Sequence, residues 1–257
     1  MLSGSKAKWG FYQSLLKTIS PKARVIDCCK GQFWMLMKSD QEGGAGLAHF
    51  FSNQEPKGAL TIKDIKGQKL KDLAQLVKSW DFHEASIGLA AINCSMSADY
   101  AAGKFAGNLT SGNAFELFLK KVKNRKVAVI GHFPHLDKMT QTAKELYILE
   151  RSPQNGDLPD TAAEYILPSR QMVFMTGSSI INKSAPRLIE LSQGAEIYLV
   201  GPSVPLCPGL FKYGLTVLAG SIISDYEALA ENLKDKCAVD FNKKFTLQVN
   251  LSPPKSA

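Results

Sequence analysis

Two histidines and three carboxylates that could bind a metal or a polar ligand lie close together in the middle of the chain. His132 and His135 are three positions apart and follow a run of apolar residues. Glu150, Asp157 and Asp160 follow the next apolar run. Imidazoles bind transition metals, whereas carboxylates suit hard cations, amines and ribose hydroxyls. A single local histidine pair is a weak metal signature, and the alternative is that His135 is a polar residue that opens a helix.

Each carboxylate also has a structural explanation. Glu150 follows Gly131 by 19 positions (150 − 131), the spacing at which an acidic residue contacts a ribose in dinucleotide-binding folds. An acid at a strand end beside an arginine is more often a structural residue in an ion pair. Asp157 and Asp160 could instead cap the helix expected over residues 162–166. The sequence leaves both explanations open.

Two further loops combine small residues with hydroxyl groups. Thr176, Gly177 and Ser178 offer hydroxyls and backbone N–H groups of the kind that bind anions, although N-capping by serine explains them equally. Gly201 and Ser203 belong to Gly-Pro-Ser-Val-Pro, which resembles a nucleophile elbow but ends in proline. No histidine follows position 135, so a serine hydrolase with the usual residue order is disfavoured.

Five short apolar runs position these loops, and each run is typical of a strand buried on both faces of a parallel sheet. Ligands of such sheets bind beyond the carboxyl ends of the strands, so we expect the candidate residues, including Asn182, to lie along one edge. Of the three glycines in the G-x-G-x-x-G pattern, the first loop contains only Gly131, so a standard NAD fingerprint is absent. The runs cover residues 127–130, 146–149, 172–175, 197–200 and 216–219.

The first half predicts a different architecture. A hairpin is predicted over residues 25–29 and 33–37, and a third strand over residues 47–51. Two helices are predicted over residues 70–77 and 82–94. Two further segments are periodic, a helix over 114–122 opened by Asn113 and a half-buried strand over 245–251. We therefore expect an α+β domain over residues 1–123 and an α/β domain over residues 124–257.

The helix over residues 82–94 carries two polar residues that need partners. Asp81 followed three residues later by Glu84 has the spacing of a capping box. Burying Glu84 and Asn93 unpaired would cost about 1–3 kcal/mol each. We expect a domain interface to supply their partners.

The composition excludes several classes of protein. The chain has 257 residues, is 45% hydrophobic and carries a net charge of +8. Its lysines are dense only over residues 120–126, where a predicted helix ends and positive charge is favourable. We therefore expect no nucleic-acid site. No apolar run reaches the roughly 18 residues that span a bilayer, and no signal peptide is evident, so we expect a cytoplasmic protein without membrane contact. Five cysteines without a C-x-x-C pair predict reduced thiols.

Taken in order, these motifs resemble the family described as "putative heavy-metal chelation", found in bacteria and archaea. The resembling segments are residues 150–168, 176–182 and 201–205, with residues 84–93 in the first half. The resemblance implies an α/β fold in which a smaller α+β domain, similar to the enolase N-terminal domain, precedes a Rossmann-like parallel sheet domain. It also implies a site where the two domains meet.

The leading hypothesis is an interdomain site for a small polar ligand, most simply a metal chelate or chelator precursor. A transition metal, if present, would bind at His132 and His135. The alternatives are a Rossmann-type enzyme with a nucleotide or S-adenosylmethionine-like cofactor, and an accessory protein that forms a homo-oligomer. The expected binding residues are Gly131, His132, Glu150, Thr176, Gly177, Ser178, Asn182, Gly201, Ser203, Glu84, Asn93, Asp157 and Asp160.

Overall fold

Two β-sheets form the framework of the protein, a three-stranded antiparallel sheet and an eight-stranded mixed sheet. The computed structural model describes residues 3–51, 60–105, 107–134, 136–154, 156–235 and 245–254. The small sheet contains β1 (Val25–Lys30), β2 (Trp34–Ser39) and β3 (Ala45–His49) in sequence order, so the predicted hairpin and third strand are confirmed.

One long helix covers the small sheet. The helices of this half are α1 (Ser3–Leu16), α2 (Ile62–Ile65), α3 (Leu70–Ala74) and α4 (Phe82–Ala101), with a 3-10 segment at Gln75–Lys78. Helix α4 is buried over most of its length, as its nearly continuous apolar sequence predicts. It packs closely on β3 because Gly46 has no side chain; a Cβ atom there would lie 2.1 Å from the backbone nitrogen of Cys94.

The large sheet has the order β4-β11-β10-β9-β8-β5-β6-β7. Strands β5 to β10 are parallel to one another, and β11 pairs antiparallel with both of its neighbours, β10 and β4. All five apolar runs form strands, as predicted. The strands are β4 (Asn108–Ser111), β5 (Lys126–Ile130), β6 (Glu145–Glu150), β7 (Leu158–Pro159), β8 (Met172–Thr176), β9 (Glu196–Val200), β10 (Leu215–Ile223) and β11 (Thr246–Ser252). The helices are α5 (Ala114–Leu117), α6 (Leu119–Val122), α7 (Asp137–Thr142), α8 (Ala163–Ile166), α9 (Ser178–Ile181), α10 (Ala185–Leu191) and α11 (Tyr226–Asp235).

The two faces of the large sheet belong to different cores, because successive side chains of a strand point to opposite faces. Ala128 and Ile130 of β5 join a core that also contains Leu89 of α4, so this inner face packs on the first half of the chain. Val127 and Val129 join a separate core on the outer face, toward α5, α6 and α7. The predicted combination of a smaller antiparallel α+β part and a parallel α/β sheet is confirmed.

The strand order contains a switch point between β5 and β8. After β5 the chain builds β6 and β7 on one side, then crosses to build β8, β9 and β10 on the other. In sheets of this kind ligands bind beyond the carboxyl ends of the strands at such a point. Gly131 and Gly177 follow these two strands, so the candidate loops do meet at one edge.

Some local predictions need correction. The helix expected over residues 114–122 is divided into α5 and α6 at Phe118, and β4 and β7 were not predicted. Glu84 does not complete a capping box, because its carboxylate accepts a hydrogen bond of 2.6 Å from the hydroxyl of Ser79. Asp81 alone caps α4, through the N–H groups of His83 and Glu84. Among the helices in the described ranges, none combines the length and apolar character needed to cross a membrane.

Candidate functional site

A buried carboxylate orients His132 in the loop after β5. Nδ1 of His132 lies 3.0 Å from Oδ2 of Asp157, whose side chain is 2% exposed, whereas the histidine side chain is 36% exposed. The same carboxylate oxygen accepts a 3.0 Å hydrogen bond from the backbone N–H of Gln154. Because a carboxylate accepts, Nδ1 carries the hydrogen, and Nε2 is the nitrogen left to bind a ligand or a proton.

Glu150 connects the ends of two neighbouring strands. Its Oε2 accepts the backbone N–H of His132 at 2.9 Å and its Oε1 accepts that of Arg151 at 2.7 Å. The side chain of Arg151 contacts Asp160 instead, at 3.4 Å. Neither Asp157 nor Asp160 makes a helix-capping hydrogen bond, so that explanation of the two aspartates is wrong.

His49, at the end of β3, brings a second imidazole toward Glu150 from the first half. Its ring packs between those of Trp34 and Phe51, with centroid distances of 5.7 and 4.6 Å. Burial lowers the pKa of His49 below its ordinary value, and the charge of Glu150 offsets this effect only in part. Nδ1 of His49 is buried and has no hydrogen-bond partner among the described residues. A neutral imidazole nitrogen that has no hydrogen-bond partner is a suitable metal ligand.

Two buried polar residues hold the two halves together beside this histidine. Nδ2 of Asn93 donates to the carbonyl oxygens of Leu47 at 2.7 Å and Ser203 at 3.1 Å. The hydroxyl of Ser203 accepts the backbone N–H of His49 at 2.8 Å. Asn93 thus finds the partners expected at an interface, whereas Glu84 pairs within the first half. Oδ1 of Asn93 is buried and has no partner in the described parts of the chain.

The hydroxyls after β8 are satisfied within their own loop. Thr176 Oγ1 lies 3.0 Å from Ser178 Oγ and accepts the backbone N–H of Ser178 at 3.3 Å. Oδ1 of Asn182 accepts the N–H and the hydroxyl of Ser184, at 3.0 and 2.6 Å, just before α10. Gly177 packs against the loop after β9, since a Cβ atom there would lie 2.9 Å from the nitrogen of Val204. These contacts are those of a structural turn.

Phe133 lies across the switch point. Gly131 and Gly201 both have left-handed backbones, with φ of 99° and 112°. A Cβ atom on Gly131 would lie 3.2 Å from Cβ of Thr176 and 3.4 Å from the ring of Phe133, and one on Gly201 would lie 3.6 Å from the same ring. The side chains of Thr176 and Phe133 therefore lie close beside Gly131, the position of the first glycine of a dinucleotide-binding loop.

The described residues contain no group of three or more His, Cys, Asp or Glu side chains that could hold a metal ion. His135, the second predicted metal ligand, lies outside the described residues. Burial raises the pKa of Cys28 to about 11 and that of Cys94 to about 12, so both remain thiols. Sequence reasoning missed His49; its position within the strand predicted over residues 47–51 was the available signal.

The fold and these contacts define a two-part α/β protein with polar residues collected where the parts meet. A model of the DUF364 family, described as "Putative heavy-metal chelation", matches residues 113–252, and a model of the DUF4213 family, with the same description, matches residues 12–96. The chain belongs to the DUF364 family, and the predicted resemblance is confirmed.

Related proteins match most of the length of the chain. An uncharacterised protein of Methanocaldococcus jannaschii is 28% identical over 228 residues, covering 84% of this chain and 86% of the relative. A crystal structure of a family member of unknown function from Desulfitobacterium hafniense DCB-2 is 31% identical, with a TM-score of 0.85 over 96% of this chain and 99% of that one. Another, from Pyrococcus horikoshii, is 18% identical, with a TM-score of 0.71 over 97% and 99% of the chains, and shows the same fold.

Proposed function

We propose that the protein binds a small metal chelate, or the chelator before it takes up its metal, at the edge where the two halves meet. The observation that carries this proposal is the pair formed by Asp157 and His132. A carboxylate that receives Nδ1–H fixes the ring and makes Nε2 a stronger ligand, an arrangement that is common behind metal-binding histidines. The family description supports the same chemistry.

The donor set favours a chelate over a bare ion. Zinc takes four ligands in structural sites, and three protein ligands in catalytic ones. The described residues offer Nε2 of His132 and Nδ1 of His49, without a three-ligand cluster. A metal bound here would therefore keep ligands supplied by a bound organic molecule. The imidazoles of His132 and His49 would add one or two nitrogen ligands to such a metal.

Neighbouring groups suit the organic part of such a ligand. The carboxylate of Glu150 places negative charge near His49, which favours a cation. The buried Oδ1 of Asn93 is an acceptor for an N–H or O–H group. An unpaired buried acceptor costs about 1–3 kcal/mol, so a ligand that satisfies it gains affinity.

The same geometry gives less support to a nucleotide-dependent enzyme. Phe133 and Thr176 occupy the space beside Gly131, and both oxygens of Glu150 accept backbone N–H groups instead of facing an open ribose site. We therefore place the nucleotide hypothesis second. S-adenosylmethionine and NAD serve as comparison ligands in the same binding measurements.

Equilibrium dialysis followed by elemental analysis tests the proposal, with Ni²⁺ and Zn²⁺ supplied alone or as citrate complexes. We expect the protein to retain the citrate complexes more strongly than the free ions. His132→Ala should abolish the difference, and Asp157→Asn should weaken binding by about 10- to 100-fold. Asp72→Asn, an exposed change on α3, is the control and should bind as the wild type does. Equal retention by the wild type and His132→Ala, or none above buffer, would overturn the proposal.

A further inference from the structure

A large cavity lies on the outer face of the large sheet, opposite the face that packs on α4. Its volume is about 850 Å³, which is within the range of small-molecule sites. Val200 and Ala219 of its floor belong to the outer core, and Asn250 is paired with Ala219 and so shares that face. Of the residues predicted to bind the interdomain ligand, Gly201 alone lines it. The cavity is therefore separate from the site proposed above.

The walls of the cavity suit a flat aromatic ring. Phe115 and Phe133 line it and contact each other with ring centroids 5.0 Å apart and planes tilted by 57°. The floor is made of the small or short residues Ala219, Gly220 and Gly201, which leave space above the strands. Aromatic side chains bind other rings by offset or edge-on packing, so a planar ligand fits this lining better than a flexible one.

One residue that lines the cavity, Asn250, carries a buried acceptor without a donor. Asn250 is 3% exposed, and its Nδ2 donates to the carbonyl oxygens of Thr110 at 3.3 Å and Gly112 at 2.8 Å. These two bonds fix the orientation of the amide. Oδ1 then remains buried and without a hydrogen-bond partner in the described parts of the chain. Because buried acceptors are nearly always paired, this oxygen indicates a ligand that brings an N–H group.

The charges at the cavity argue against a phosphate-bearing ligand. Among the described residues that line it, the ionisable ones are Glu116, Asp137 and Lys138, two carboxylates and one ammonium group. A site for a nucleotide phosphate would present cations or several backbone N–H groups instead. We propose that the cavity binds an uncharged, planar nitrogen heterocycle whose N–H group donates to Oδ1 of Asn250, with space for a substituent of nucleoside size.

Matched aromatic probes test the proposal without any metal, so the result is independent of the chelate site. Indole and benzothiophene have nearly the same shape, but indole alone carries an N–H donor; adenosine and its 5′-monophosphate test the size and the charge. We expect ligand-detected NMR titrations to give indole roughly tenfold tighter binding than benzothiophene, the scale of one hydrogen bond. Adenosine should bind more tightly than the monophosphate.

Two variants show where the probes bind. Ala219→Leu projects a larger side chain into the cavity and should abolish binding of every probe, while the exposed change Ala102→Leu should leave binding unchanged. Asn250→Leu should remove the preference for indole, with circular dichroism confirming that the variant is folded. Equal binding of indole and benzothiophene to the wild type, binding that survives Ala219→Leu, or no binding of any probe would each overturn the proposal.

Discussion

Asn93 on α4 and Ser203 in the loop after β9 are joined by a hydrogen bond of 3.1 Å from the amide Nδ2 to the carbonyl oxygen. The two residues are 110 positions apart in the chain, and both are buried. Since Asn93 also binds the carbonyl of Leu47 and Ser203 also accepts the N–H of His49, the small sheet, α4 and the large sheet are fixed to one another here. The ligand site that we propose would lie beside this junction of buried hydrogen bonds.

Replacing Asn93 should weaken this junction. Asn93→Leu removes the donor from two buried carbonyl oxygens, and we expect the free energy of unfolding to fall by about 1–3 kcal/mol. Asn108→Leu is the matched control, because Asn108 also donates to a carbonyl, that of Pro253, but at an exposed position. The control should change stability by less than about 0.5 kcal/mol. Urea denaturation of both variants measures the two free energies of unfolding. Equal decreases in the two variants would count against a special role for Asn93.

The same substitution in two helices should have opposite effects. In α4, a Cβ atom on Gly88 would lie 2.1 Å from the backbone nitrogen of Val77, so Gly88→Ala forces the backbone to move. In α1, a Cβ atom on Gly10 would meet the hydroxyl oxygen of Tyr213 at an ordinary 3.5 Å.

We therefore expect Gly88→Ala to destabilise the protein by at least about 1–3 kcal/mol, as overpacking does. Gly10→Ala should stabilise it by about 0.5–1 kcal/mol, because alanine favours the helix. Thermal unfolding of the two variants measures both effects. A stabilised Gly88→Ala protein would show that α4 does not pack on the 3-10 segment as described.

The fold was predictable because its signals are local. Continuous apolar runs identified β5, β6, β8, β9 and β10. Because β5 and β6 are parallel neighbours in the sheet, the loops of Gly131 and Glu150 lie at one edge, as predicted. The contacts of the site were less predictable because they join distant segments. Ser203 meets His49 across 154 positions and Asn250 meets Gly112 across 138, and no local pattern marks such a pairing. Asn182 resembled a ligand-binding residue by sequence, yet its contacts with Ser184 depend on the turn before α10.

Lys183 should give the stability a distinct dependence on pH. Its backbone is left-handed with φ of 67°, its Nζ donates to the carbonyl of Ile181 at 2.7 Å, and burial lowers its pKa to about 8. Between pH 8 and roughly 10.5, the ordinary value, the unfolded chain binds more protons at this residue than the folded one does, so this contribution rises with pH.

Lys183→Met removes that contribution. The stability of the variant relative to the wild type should therefore be most favourable below pH 8 and should decrease steadily as the pH approaches 10. Urea denaturation at pH 7.5, 8.5 and 9.5 measures the difference. Lys71→Met, at an exposed position on α3, controls for the loss of one positive charge. A difference for Lys183→Met that does not change with pH would mean that the buried ammonium group has no unusual proton affinity.

Glu150 and His49 should be coupled across the two halves of the chain. Burial lowers the pKa of His49, and the negative charge of Glu150 raises it in part. Neutralising that charge in Glu150→Gln should therefore lower the pKa of His49 further. An NMR titration of the histidine ring protons measures this shift directly. Asp160→Asn removes a carboxylate that pairs with Arg151 and should leave the His49 titration unchanged. If Glu150→Gln also left it unchanged, His49 and Glu150 would not share one electrostatic environment, and the two imidazoles would not belong to a single ligand site.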